Sequence, residues 1–118
     1  INIIVTGLHL LRESTSKLMD KSLSDEDHAV IVTVLKKYET DEVKFHALQT
    51  RESGRHRFVS MHVLVPGAWS IQKGHDLSEN VEAEIKAALA HTTVSTHVEP
   101  IEDPRSWEDV PTGSYTWD

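Results

Sequence analysis

The sequence predicts an α+β domain, an open-faced α-β-β-α-β sandwich with two helices on one face of a three-stranded sheet. Three observations predict it. A capped segment at 24–38 opens with acids and closes with lysines. Two alternating segments, 43–51 and 57–65, flank Gly54. A second helical stripe, after Ser70, precedes a third alternating segment at 92–99. A chain of 118 residues holds one core and no second. Two helices packed on one face of the sheet is the economical way to bury three half-apolar strands.

Each element has its own warrant. Ser24 is a capping residue followed by Asp25, Glu26 and Asp27, and Lys36 and Lys37 stand at the far end. Acids at the start and cations at the finish complement the helix dipole, and Ala29, Val30, Val34 and Leu35 supply apolar positions. The segments 43–51 and 57–65 are rich in Val and Phe and read as a hairpin turning about Gly54. Pro66-Gly67 stops the second strand. Ser70 caps a helix whose apolar stripe is Leu77, Val81, Ile85, Ala88 and Leu89. The third strand ends at Pro100.

The ends read differently. A start at Ile1 rather than Met predicts a piece of a longer protein. The opening INIIVTGLHLL falls short of the roughly 20 apolar residues that span a bilayer and lacks the features of a signal peptide. It is either the end of a membrane helix or an ordinary amphipathic helix. Residues 102–118 hold two of the four prolines and no periodic pattern, and read as a tail. The expected division is 1–23 membrane-helix end and linker, 24–101 the folded domain, and 102–118 the tail.

Composition excludes several functions. There are 19 acidic against 12 basic residues, a net charge of -7, which argues against a nucleic-acid partner. Cysteine is absent, so disulfides, thiolate zinc sites, Fe–S clusters and Cys nucleophiles are ruled out. Neither G-x-S-x-G nor H-E-x-x-H occurs, and no Gly-rich phosphate loop is present, so the chain does not read as an enzyme. Eight histidines against two Phe and two Tyr are the feature to explain.

Strand parity makes the histidines converge. Val43, Phe45 and Ala47 share an apolar face, as do Val59, Met61, Val63 and Val65, and Val94, Thr96 and Val98. These faces meet the helices. His46, His62, His97 and Glu99 therefore lie on the face the helices leave open. A hairpin symmetric about Gly54 sets His46 opposite His62, with Cβ atoms roughly 5 Å apart. Two such imidazoles can share one metal ion or sit in adjacent shells. His75 stands near the start of the second helix, off its apolar stripe and within possible reach of the same patch. Imidazole with carboxylate suits Zn²⁺, and also Co²⁺, Ni²⁺, Mn²⁺ or Fe²⁺. His9, His28, His56 and His91 read as ordinary helix, helix-start, turn and helix-end residues, and Trp69 as a core or rim aromatic.

The segments FHALQTRESGRHRFVSMHVLVPG, SIQKGHDLSENVEAEI and VSTHVEP resemble the cytoplasmic C-terminal domain of cation diffusion facilitator (cation efflux) transporters. The matching features are His46 to Gly54 with its Thr50-Arg51 pair, Phe58 to His62, Gly74-His75, and Val94 to Pro100. LMDKSL at 18–23 resembles the family's link from its last membrane helix. The resemblance spans about 11–100. It implies a ferredoxin-like, metallochaperone-like fold missing one strand. It also implies a homodimer on the cytoplasmic face of a cell membrane, joined to its own transmembrane domain, and metal ions at the dimer interface. The implied ligands are His46, His62, His75, His97 and Glu99, with the carboxylate bridging two ions of Zn or of a similar divalent metal such as Cd, Co, Mn or Fe. Two departures follow: Glu99 stands where some members have Asp, and Val98 where some have a polar residue reaching the neighbouring subunit, leaving that coordination position to water. The whole transporter would exchange divalent cations for protons through its membrane helices, and metal binding by the acidic cytoplasmic domains would close the dimer. The competing reading is a small-molecule-sensing regulatory domain on a similar scaffold, with a metal-dependent hydrolase third.

Overall fold

The computed structural model describes residues 21–117; the opening segment 1–20, with His9 and the expected membrane-helix end, lies outside the described residues. The order is α1 (Asp25–Tyr38), β1 (Lys44–Ser53), β2 (His56–Val65), α2 (Ile71–Ala88), β3 (Thr92–Pro100) and α3 (Pro104–Glu108). The first five elements follow the predicted α-β-β-α-β sequence. β1 and β2 are antiparallel, β2 and β3 are parallel, and β2 is central. The parallel pair needs a crossover, and α2 supplies it.

The helix caps form as the sequence requires. The Ser24 side chain accepts from the Asp27 amide at 3.1 Å, and Ser70 does the same for Lys73 at 3.0 Å. From α1, Ile31, Val34 and Leu35 are buried; from α2, Val81 and Ile85 are. They meet Phe45, Val59, Met61, Val63 and Val94 of the sheet in one core. Each such Leu, Ile or Met contributes about 1.5–3 kcal/mol by leaving water. Ala29 and Ala88 lie exposed, so the buried stripes are narrower than predicted, with His28 and Ser78 buried instead.

The hairpin register differs from a symmetric turn about Gly54, and the difference matters for the site. The turn holds two residues, Gly54 and Arg55, with Ser53 paired to His56. Gly54 has φ +61, the conformation glycine accepts without a Cβ penalty at the first loop position. From that turn, continuous pairing would set His46 opposite Val63 and on the core face. Instead Ala47 and Leu48 together oppose Met61, a β-bulge, with Ala47 at φ +54. Beyond the bulge His46 pairs with His62. The expected partnership is reached, by a two-residue loop plus one extra residue in β1.

The segment after β3 folds back over the sheet. Ile101 N donates to Val65 O at 2.8 Å, and the Ser106 hydroxyl donates to Pro100 O at 2.7 Å. Asp103 caps α3 by accepting from Arg105 N at 2.9 Å. Further on, Tyr115 N donates to Leu48 O at 2.7 Å, and a bridge joins Lys21 to Glu52. Both contacts cover the outer edge of β1, which an edge strand otherwise leaves open to unwanted pairing. Trp117 packs against the core and donates from Nε1 to Glu39 Oε1 at 3.3 Å. Trp69 also packs against the core, as expected for a rim aromatic.

Candidate metal centre

The strand registers build the site. His46 pairs with His62 across the antiparallel ladder, and His62 pairs with His97 across the parallel one. The three imidazoles therefore form a row perpendicular to the strands on the face opposite the helices. Their rings meet edge to face, with centroids 5.2 Å apart for His46–His62 and 5.1 Å for His62–His97. Glu99, two residues beyond His97, stands on the same face, beside Leu64. Leu64 is fully buried and Glu99 is 7% exposed, so this face is closed at that end.

The donor atoms converge. Glu99 Oε1 is 2.6 Å from His62 Nδ1 and 3.5 Å from His46 Nε2. His62 Nδ1 is 3.3 Å from His46 Nε2. Metal–ligand bonds of about 2.0–2.1 Å in a tetrahedral shell place ligand atoms roughly 3.3 Å apart, and two of these three distances fall near that edge. Although it lies 2.6 Å from His62 Nδ1, Glu99 Oε1 is a buried acceptor without a hydrogen-bond partner. A carboxylate buried among neutral imidazoles is an uncompensated charge, and a divalent cation is its natural complement. The residues present thus fit a divalent transition metal.

The Glu99 carboxylate also reaches toward His97. His97 Nε2 lies 4.0 Å from Oε2, the other carboxylate oxygen. His97, Glu99 and Asp109 offer donor atoms within 4.8 Å of one another, as do His46, His62 and Glu99. Glu99 belongs to both groups. Burial pulls the His62 pKa below the usual imidazole range. The charge of Glu99 opposes that shift, His46 and His97 deepen it, and Asp109 opposes it. The neutral, ligating form of the ring is favoured.

Four of the five sequence-predicted ligands, His46, His62, His97 and Glu99, are brought together. His75 is not among the converging donors. It lies on α2 with its side chain 59% exposed, 3.8 Å from Glu79 Oε1. Buried Gly74 beside it packs on β3, where an added Cβ would stand 3.4 Å from Val98 Cγ1, an ordinary van der Waals contact. A concavity of about 540 Å³ runs along this rim, and His75 and Glu99 both line it. Asp109 was missed by sequence reasoning, because nothing in a proline-containing, aperiodic segment signals that it returns to the sheet. The same is true of Trp107, whose ring stands edge-on to His46 with centroids 5.3 Å apart.

Known proteins share this architecture. The model of the cation efflux protein cytoplasmic domain matches residues 23–101. The chain belongs to the cation efflux family. An uncharacterized transporter of Synechocystis sp. is 49% identical over 107 residues, covering 91% of this chain and 34% of that protein. The cation-efflux pump FieF of Serratia proteamaculans is 29% identical over 101 residues, covering 85% of this chain and 33% of the pump. The metal-bound C-terminal domain of the CzcD transporter from Thermotoga maritima superposes with a TM-score of 0.60 at 25% identity, covering 67% of this chain and 92% of that domain. CzrB in its Zn form gives 0.61 at 25% identity, covering 70% and 93%. This cation efflux domain spans about a third of the length of the curated relatives it matches. No helix of its described residues is long and apolar enough to cross a membrane. Its family is one of transporter domains rather than enzymes.

Proposed function

We propose that this domain binds divalent transition-metal ions, Zn²⁺ or a relative such as Cd²⁺, Co²⁺, Mn²⁺ or Fe²⁺, through His46, His62, His97 and Glu99, and regulates the membrane part of a cation efflux transporter. The observation that carries the reading is the meeting of His46 Nε2, His62 Nδ1 and Glu99 Oε1 at near-ligand spacing, with Oε1 buried and lacking a hydrogen-bond partner. The metal-bound state of the CzcD neighbour and the Zn form of CzrB support it. His75, the fifth ligand implied by the sequence, lines the same groove as Glu99 and would complete the set from there.

In this reading the domain works as a homodimer at the cytoplasmic face of the membrane, below its own transmembrane helices, which exchange the metal for protons. The matching family is named for a dimer. Exposed Ile71 and Val98 along the α2–β3 rim offer apolar surface to a second copy. Two chains of net charge -7 repel, and bound cations lower that repulsion. Metal stabilises the closed dimer by its higher affinity for that state over the open one, and so biases the transporter toward export.

The test is calorimetry with Zn²⁺, Mn²⁺ and Cd²⁺, paired with sedimentation at each metal level. The reading expects tight binding of at least one of these ions and a dimer that is present from the start or appears on loading. Absence of binding by all three, or a monomer at every metal level, overturns it.

A further inference from the structure

We infer that Trp107, from the segment following β3, is a positioning residue for the metal centre: its indole holds the His46 imidazole in the orientation that ligation requires. The inference rests on the metal-binding reading and deepens it, because it gives a role to a residue beyond 101, where the family match ends.

The two ends of the imidazole row supply an internal comparison. His46 and His97 both stand on edge strands, and each pairs with His62 of the central strand. Each ring meets the His62 ring in the same way, at 5.2 and 5.1 Å and at an angle of 61°. Yet the His46 side chain is 14% exposed and that of His97 is 63% exposed. Among the described residues, His62 is the only ring against His97, whereas His46 also has Trp107, at 5.3 Å and 83°. An imidazole binds metal through a lone pair in the plane of its ring, so both side-chain torsions must be set. The outer torsion of histidine has a broad minimum and is set by neighbours rather than by itself. His62 is one such neighbour and Trp107 the second, in the near-perpendicular geometry that aromatic pairs favour. Between them, His46 Nε2 stands 3.3 Å from His62 Nδ1 and 3.5 Å from Glu99 Oε1.

Trp107 is itself held in place. Its indole N–H donates to Ile101 O at 2.8 Å, the Ser106 hydroxyl donates to Pro100 O, and Asp103 caps α3. These bonds tie the short helix to the end of β3, the strand that carries Glu99. Further along, Tyr115 is bonded to Leu48 and stacked on His28. The indole is 51% exposed, so a place in the core does not account for it. A ligand ring ordered before the ion arrives loses little freedom on binding, and that saving appears as affinity.

The experiment pairs NMR of the histidine ring protons in the metal-free, 118-residue chain with Zn²⁺ affinity from chelator competition. Trp107→Phe keeps an aromatic ring and loses the indole N–H. Trp107→Leu keeps apolar bulk without a ring, and serves where Trp107→Ala unsettles the segment. Metal-free melts show that each variant is folded. In the parent, the indole ring current should displace the His46 ring protons. Trp107→Phe should retain a displacement and nearly the parent affinity. Trp107→Leu and Trp107→Ala should lose the displacement and bind Zn²⁺ about three- to ten-fold more weakly, the scale of one aromatic pair. Loss of the anchoring bond alone would not give this pattern, because Phe and Leu lack the N–H equally. If the parent binds Zn²⁺ and the Leu and Ala variants bind it as tightly, Trp107 does not position His46 and this inference alone fails. It fails equally if Trp107→Phe is as damaging as Trp107→Leu, since the bond to Ile101 rather than the ring would then matter. A parent that takes up no metal overturns the proposed function, and this inference with it.

Discussion

Tyr115 lies flat on His28, with ring centroids 4.1 Å apart and planes 4° from parallel. His28 is 5% exposed, and its Nε2 is 2.8 Å from the Thr50 hydroxyl. A histidine that reads in sequence as an ordinary helix-start residue is therefore a three-way junction. It ties α1 to β1 and both to the C-terminal segment. That segment in turn carries Trp107 and Asp109 over the imidazole row.

Removing either ring should loosen this junction. Tyr115→Ala is expected to lower stability by about 1 kcal/mol, the scale of a stacked pair. His28→Ala should cost about 1–3 kcal/mol, since it also removes one of the two partners of the Thr50 hydroxyl, leaving the Leu23 amide, and opens a buried space. The two should not add: a double variant will show a coupling of about 0.5–1.5 kcal/mol. Urea denaturation of the four species measures it. Strict additivity would mean that the stack carries no energy.

Much of this was legible in the sequence, for reasons that individual residues make plain. Ser24 and Ser70 announce helix starts because a hydroxyl is what an orphan amide needs. Parity places His62, His97 and Glu99 on one face because strand side chains alternate without exception until a bulge intervenes. His46 came out on that face although the turn was misread. The symmetric turn and the bulge-free strand are two errors that cancel: the loop holds Arg55 as well as Gly54, and Ala47-Leu48 holds one residue too many. The apolar doublet Ala47-Leu48, both buried, was the available signal of a bulge, since it breaks the alternation. Asp109 and Tyr115 gave no such signal. Their placement depends on long-range contacts with Glu99 and His28 that no local pattern encodes.

The bulge itself is open to test. Ala47 has φ +54 and is buried at 5% exposure. An L-residue in this region carries a penalty of about 1–2 kcal/mol that glycine escapes. Ala47→Gly regains that and loses a buried methyl worth about 0.8 kcal/mol, so stability should change by less than about 1 kcal/mol. Ala47→Val, with branching that suits the left-handed region still less, should destabilise by more than about 2 kcal/mol. Thermal melts of both variants decide it. If Val is tolerated as well as Gly, the bulge is not fixed by the Ala47 backbone.

Acid should act on the site in two ways. The folded-state pKa of His62 lies below its unfolded value, which is near 6.5, chiefly because burial disfavours the charged ring. Below pH about 6.5 the unfolded chain therefore binds this proton before the folded one does. The associated stability is complete above that pH and is lost as pH falls toward the folded value. Metal-free urea midpoints should drop across that window, and His62→Gln should reduce the drop. In the proposed metal site, protons also compete directly for imidazole nitrogen, so Zn²⁺ affinity should fall markedly from about pH 7 to pH 5.5. An affinity that stays flat across that range excludes a histidine-built site.

Glu99→Gln should damage metal binding more than its small change in size suggests. Glu99 is the one carboxylate shared by the two donor groups, with Oε1 toward His46 and His62 and Oε2 toward His97. Glutamine preserves the length of the side chain and one carbonyl oxygen. It replaces the other oxygen with an amide nitrogen that donates hydrogen bonds and does not bind metal. The charge between the ions goes with it, so the repulsion of two divalent cations in a partly dehydrated site would no longer be offset at the point they share. The ion held by His46 and His62 can still use the carbonyl oxygen; the one beside His97 cannot. Loss of the second ion should therefore precede weakening of the first. Without metal the variant should fold at least as well as the parent, because a buried charge has been removed from among neutral rings. Calorimetric stoichiometry and a metal-free melt, measured together, separate these effects. If Glu99→Gln binds as many Zn²⁺ ions per chain as the parent with similar affinity, Glu99 does not bridge, and the His46, His62 and His97 row holds its metal without it.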